Sequence, residues 1–128
     1  MTIIVTAAII RKDDKILIAQ RMPDSTNEAN KWEFPGGKLK DMEHPEEGLI
    51  REIKEELDIE IRIEKLFEVN SHVYGGKGHV ILLAFLADYV SGEKKDLEVQ
   101  DSKWVEPEAL KDYDFAAADK PIVERFTK

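Results

Sequence analysis

Apolar runs separated by polar breaks divide the chain into readable elements. "TIIVTAAII" (residues 2–10) is β-branched and apolar almost throughout, which predicts a buried strand. "RKDDK" is a charged turn and "ILIAQR" a second strand, so the N-terminus reads as a hairpin. "MPDSTNEAN" is a polar loop, and "KWEFP" a short extended piece stopped by Pro35 and a Gly36-Gly37 turn. A helix is predicted over Pro45–Leu57. Pro45 suits the first helical position, where a missing N–H costs nothing, and Glu46 and Glu47 follow at the positive end of the dipole.

"IEIRIEKLFEV" alternates apolar and charged residues, the pattern of a half-buried strand. "SHVYGGKGH" reads as a glycine-rich turn, "VILLAFLADYV" as a buried strand, and "SGEKKDLEVQD" as a charged loop. "SKWV" is a short strand, "PEAL" a helical turn, and "ADKPIVERF" a short closing helix. No repeat or linker interrupts this order. Residues 1–128 therefore form one α/β domain with a mixed sheet and helices on its faces.

The central helix carries an unusual charge pattern. On a helical wheel Leu49, Ile50, Ile53 and Leu57 share an arc of about 100°, a core-facing stripe. Glu52, Glu55 and Glu56 fall on the adjacent arc, at i, i+3 and i, i+4 spacings. Each such like-charge pair costs ~0.2–0.5 kcal/mol in an isolated helix. A solvated face is the ordinary reading of a charge run. Here the acidic arc borders the core stripe, and a Gly-Gly turn upstream can bring backbone carbonyls near. Converging hard oxygens suit Mg²⁺ or Mn²⁺, which would turn repulsion into coordination.

Composition narrows the partners. The 128 residues are 42% hydrophobic and 36% charged, with net charge −8. That acidic balance disfavours a nucleic-acid polymer, yet tolerates a single nucleotide whose phosphates a metal screens. Cysteine is absent, which removes disulfides, thiolate metal sites and a thiol nucleophile, and fits a reducing cytoplasm. The N-terminus lacks a basic n-region, and no apolar run reaches the ~18–20 residues of a spanning helix, so neither a signal peptide nor a membrane partner is expected.

Residues 37–59 resemble the Nudix box, G-x5-E-x7-R-E-U-x-E-E-x-G-U, with U a bulky aliphatic. Gly37, Glu43, Arg51-Glu52, Ile53, Glu55-Glu56 and Ile59 fall on its positions. "NKWEFPGGK" before the box, and "LEVQDSKWV" and "FAAADKPIVERF" after it, resemble MutT-type nucleoside triphosphate pyrophosphohydrolases. The C-terminal end is most similar to the bacterial CTP pyrophosphohydrolase branch. The resemblance implies a Nudix fold, a mixed β-sheet sandwiched between α-helices (α/β/α). Asp58 replaces the last glycine of the box, where a left-handed residue ends the helix; Asp tolerates that conformation at a cost of about 1 kcal/mol. His44, at the N-cap, is a weaker cap than Ser or Thr.

The same resemblance implies site roles. Glu52, Glu55 and Glu56 would ligate Mg²⁺ or Mn²⁺, with the Gly36 carbonyl as another ligand and Glu98 as a further ligand or the base. Arg51 would pair with Glu43 or orient Glu52. Water would attack the β-phosphorus and release a nucleoside monophosphate and pyrophosphate, with Glu52 or Glu98 taking its proton. Arg21 matches a phosphate- or sugar-facing arginine. Glu33, Phe34, Gly36, Gly37 and Lys38 would line the cleft. Asp119 matches a base-recognition position, with helix capping as its alternative role. An acceptor-only carboxylate favours cytosine nucleotides, then 8-oxo-guanine nucleotides. The resemblance implies a free (deoxy)nucleotide as substrate, and the protein is expected as a monomer or homodimer. Two alternatives remain: a Nudix hydrolase of ADP-ribose or dinucleoside polyphosphates, and a non-catalytic nucleotide-binding Nudix module.

Overall fold

The computed structural model describes residues 1–76 and 78–128. Strand β1 (Thr2–Lys12) turns through Asp13 and Asp14 into β2 (Lys15–Gln20). Both aspartates have positive φ, 50° and 65°, as a two-residue hairpin turn requires. β3 (Trp32–Glu33), β4 (Gly36–Lys38) and helix α1 (Pro45–Leu57) follow. The long strands β5 (Glu60–Val73) and β6 (His79–Ser91) come next, then β7 (Asp101–Val105). A 3₁₀ turn (Pro107–Asp112) and helix α2 (Lys120–Phe126) complete the chain. Among the described residues no helix is long and apolar enough to cross a membrane.

The sheet runs β3-β2-β1-β6-β5, with β4 also paired to β1 and β7 to β2. It is mixed: β1 runs parallel to β6, from Thr2 beside His79 to Arg11 beside Asp88, and its other pairings are antiparallel. Alternating β1 side chains feed two cores. Ala7 and Ile9 pack with Phe34, Leu110 and Ile122 on the face covered by the 3₁₀ turn and α2. Ala8 and Ile10 pack with Leu49, Ile53 and Leu57 on the face covered by α1. The expected helix-sheet-helix layering is thus observed.

Two element readings need correction. Gly36-Gly37 is not a turn but the start of β4, paired antiparallel with Thr6 and Ala7 of β1. A Cβ on Gly36 would lie 1.9 Å from the Thr6 carbonyl oxygen, so glycine here permits close backbone approach, not a bend. "SHV" is also strand: β5 continues to Val73 opposite His79. The turn expected over "VYGGKG" includes Lys77, which lies outside the described residues.

The ends of α1 are built as local chemistry dictates. His44 caps the helix after all, its Nδ1 accepting the Glu46 N–H at 3.3 Å. Asp58 takes the left-handed conformation, φ 58° and ψ 36°, and its N–H donates to the Lys54 carbonyl at 3.0 Å. Of the apolar stripe, Leu49, Ile53 and Leu57 are fully buried, while Ile50 is half-buried against the same core.

Candidate active site

Helix α1 meets the sheet with its apolar stripe, so the neighbouring acidic arc is presented beside β4. Arg51 organises that arc. Its Nε and Nη2 donate to the two Glu43 carboxylate oxygens at 2.7 and 2.9 Å, and its Nη1 donates to Glu52 and Glu55, each at 2.9 Å. This is the fork-on-fork geometry that guanidinium supports and ammonium does not. Both expected roles of Arg51, pairing with Glu43 and orienting Glu52, are present together. The Arg51 bonds, followed by the Lys40 backbone N–H, hold the Glu43 carboxyl down at about 2.

Two glutamates of this acidic ridge, Glu52 and Glu56, face inward. Glu52 abuts Gly37, where a Cβ would come within 2.3 Å of its carboxylate oxygen. Burial pushes the Glu52 carboxyl up, opposed by Arg51 and reinforced by Glu55 and Glu98. Glu56 is turned deepest. Its Oε1 is buried with no hydrogen-bond partner. Burial, then the charges of Glu33, Glu52 and Glu98, drives its carboxyl up to about 9, although the Gly36 backbone N–H opposes the shift. Orphaned buried oxygens of this kind are rare in folded proteins and costly.

Next to this ridge lies a cleft between β4, the loop after β2 and the start of α2. Arg21, Glu33, Lys38, Leu82 and Asp119 line it, with Phe34, Gly36, Gly37 and Glu56 at the ridge end and Asn27, Glu28 and Tyr74 at the far end. Arg21 donates to Glu33 at 3.0 Å and to the Asn27 carbonyl at 3.1 Å, so its guanidinium is positioned but shared. Lys38 is exposed at the rim. Phe34 is 2% exposed and belongs to the α2-side core; its contribution to the cleft is its backbone N–H.

That N–H donates to Asp119 Oδ2 at 3.0 Å. Asp119 is 6% exposed, and its carboxylate makes no cap bond to α2, so the capping alternative fails. Burial, then the Glu33 charge, raises the Asp119 carboxyl well above its usual range against the pull of Phe34 N–H and Arg21. Glu33 is likewise raised by burial and held down by Arg21.

The structure brings Glu52, Glu56, Gly36 and Gly37 to one end of the cleft and Arg21, Glu33 and Asp119 to the middle. It does not converge three carboxylates into a ready cage: among the described residues no group of three His, Cys, Asp or Glu is arranged to hold an ion. Glu52 and Glu55 are occupied by Arg51, and Glu98 stands exposed on the loop before β7. The donor chemistry nevertheless fits a hard divalent cation. All side-chain donors are carboxylates, and one buried oxygen has no partner.

Sequence reasoning missed Glu28. It sat in a loop read only as polar, yet its carboxylate accepts the Ala117 N–H at 3.1 Å and ties that loop to the α2 side of the cleft. Its positive φ, 58°, left no mark in the sequence. Tyr74 lines the far end of the cleft.

The NUDIX domain pattern matches residues 1–126. The chain belongs to the Nudix family. It is 40% identical over 123 residues to a CTP pyrophosphohydrolase of Escherichia coli, covering 95% of this chain and 89% of that protein. It is 30% identical over 124 residues to the 8-oxo-dGTP diphosphatase of the same species, covering 97% and 95%. The crystal structure of a MutT Nudix hydrolase from Burkholderia pseudomallei superposes with a TM-score of 0.87 at 28% identity, covering 98% of each chain. As a Nudix protein matched end to end by hydrolases of nucleotide anhydrides, the chain is a pyrophosphohydrolase.

Proposed function

We propose that this Nudix protein hydrolyses (deoxy)nucleoside triphosphates to the monophosphate and pyrophosphate. It takes cytosine nucleotides or 8-oxo-guanine nucleotides as substrates, and it acts on the free nucleotide pool of the cytoplasm. The observation that carries this reading is the partnerless buried oxygen of Glu56, placed beside Glu52 and Gly36 at one end of a cleft that holds Asp119. Glu52, Glu55 and Glu56, with the Gly36 carbonyl and Glu98, would hold Mg²⁺ or Mn²⁺. When bound, such an ion neutralises phosphate charge and lowers the pKa of water.

The chain's own residues do the rest. Arg51 keeps Glu52 and Glu55 oriented while Glu43 anchors Arg51. A carboxylate beside the water, Glu52 or Glu98, takes its proton. Asp119 is anchored by Phe34 through Oδ2, so Oδ1 is left to meet a base. A base edge rich in N–H donors stabilises the ionised carboxylate that burial disfavours. The cytosine exocyclic amine and the N1–H and amine of an oxidised guanine both qualify. Relatives of both specificities support keeping the two classes together.

The test is a substrate panel with Mg²⁺: CTP, dCTP, 5-substituted dCTP, 8-oxo-dGTP, ADP-ribose and diadenosine polyphosphates, scored for pyrophosphate release. Release from a cytosine or oxidised-guanine triphosphate is expected, and its abolition in Glu55→Gln with an intact fold. Cleavage confined to ADP-ribose or the dinucleotides would refute the reading.

A further inference from the structure

Glu98 stands on a segment, residues 92–100, that has neither strand nor helix between β6 and β7. A carboxylate there serves chemistry at the ridge only if the segment is tied down. Backbone bonds supply part of the restraint. The Lys95 N–H donates to the Leu57 carbonyl at 2.9 Å and the Leu97 N–H to the Glu56 carbonyl at 3.0 Å, using carbonyls that the C-terminal turn of α1 leaves free. After Glu98, Val99 is buried in the α1-side core, and the Gln100 N–H donates to the Gln20 carbonyl at 2.9 Å.

A further restraint is made of side chains. Ser102 is in β7 and only 6% exposed. Its hydroxyl accepts from Lys94 Nζ at 2.7 Å and donates to an Asp96 carboxylate oxygen. Lys94 Nζ also reaches the Ser102 carbonyl at 3.3 Å. Lys94 and Asp96 both belong to the segment that leads into Glu98, whereas Ser102 is fixed by the β2–β7 pairing. The hydroxyl is donor and acceptor at once, to two opposite charges, and such charge-assisted bonds are the stronger kind.

We propose that the Lys94–Ser102–Asp96 tie is a positioning device that holds the segment so that Glu98 stays within reach of Glu52 and Glu56. The role assigned to Glu98 rests on the hydrolase reading above; the tie itself does not. Ser102→Ala removes the hub and leaves both charged partners. In the metal-free protein, the Leu97 amide is expected to exchange about tenfold faster while amides within α1 keep their protection. With nucleotide and Mg²⁺, kcat is expected to fall about tenfold with KM within about twofold. In a Glu98→Gln background Ser102→Ala is expected to lower kcat no further, because no carboxylate remains to misplace. Lys94→Ala cuts the same tie without touching β7, and reproduces the pattern should Ser102→Ala prove unstable. Unchanged Leu97 exchange overturns the proposal, as does an equal loss of kcat with and without Glu98. A wild-type chain inert toward every nucleotide sinks the hydrolase reading alone, and the exchange result then decides the tie.

Discussion

Gly37→Ala separates the geometry of the site from the stability of the fold. Gly37 has no positive φ, so its backbone accepts alanine, and Gly→Ala at a compatible position stabilises by about 0.4–1 kcal/mol through the unfolded state. The new Cβ, however, would sit 2.3 Å from Glu52 Oε2 and 2.5 Å from its Cδ. Ordinary contact begins at 3.4 Å. The obstacle is the end of a flexible side chain, so the carboxylate retreats by roughly 1 Å and the Arg51–Glu52 bond is disturbed; a misplacement of that size can lower turnover about 10²-fold, near 2.7 kcal/mol of barrier. Gly36→Ala is the contrast. There the Cβ would meet backbone, the Thr6 carbonyl oxygen at 1.9 Å, and β4 must leave β1. The assay pairs steady-state pyrophosphate release with urea unfolding. Gly37→Ala is expected near wild-type stability with a collapsed kcat/KM, and Gly36→Ala in the unfolded fraction. A Gly37→Ala enzyme within threefold of wild type, or a normally stable Gly36→Ala, would refute the reasoning.

Removing Asp119 leaves the buried Phe34 N–H without its acceptor, so Asp119→Ala should lose ~1–3 kcal/mol in urea unfolding and flatten the preference among bases; Asp119→Asn keeps an acceptor and should lose less stability. Glu43 sits near 2 in the fold, below its ordinary 4.5, so its pairing with Arg51 stabilises fully above pH 4.5 and fades as pH falls toward 2. The stability gap between wild type and Glu43→Gln should therefore shrink across that interval, and a gap that widens on acidification would contradict the pairing. Asp58→Gly exchanges a tolerated left-handed residue for an ideal one while losing exposed ion pairs to Lys54 and Lys95; a net change under about 1 kcal/mol in thermal unfolding is expected.

Helix α1 was legible because its apolar period alone decides which side meets the sheet, and Leu49, Ile53 and Leu57 lie where the wheel put them. The acidic arc was legible in direction but not in depth. A wheel says that Glu52 and Glu56 border the core; it does not say that Glu56 turns far enough inward to leave its Oε1 buried without a partner. Gly36-Gly37 misled because two glycines look like a turn until β1 is seen alongside them. Asp119 shows the same limit. Local sequence makes it a cap, and only Phe34, 85 positions away, makes it part of a cleft wall. Long-range partners decided each case that the local pattern left open.

The parallel seam between β1 and β6 shapes how the protein comes into being. Thr2 and His79 are neighbours 77 positions apart, and the same offset runs along β1 to Arg11 beside Asp88. On a ribosome, β1 must wait until β6 has been made before that edge is satisfied. Contacts of such long span slow folding and leave unpaired strand exposed meanwhile. The nascent chain is therefore most vulnerable to sticking just before its sixth strand emerges.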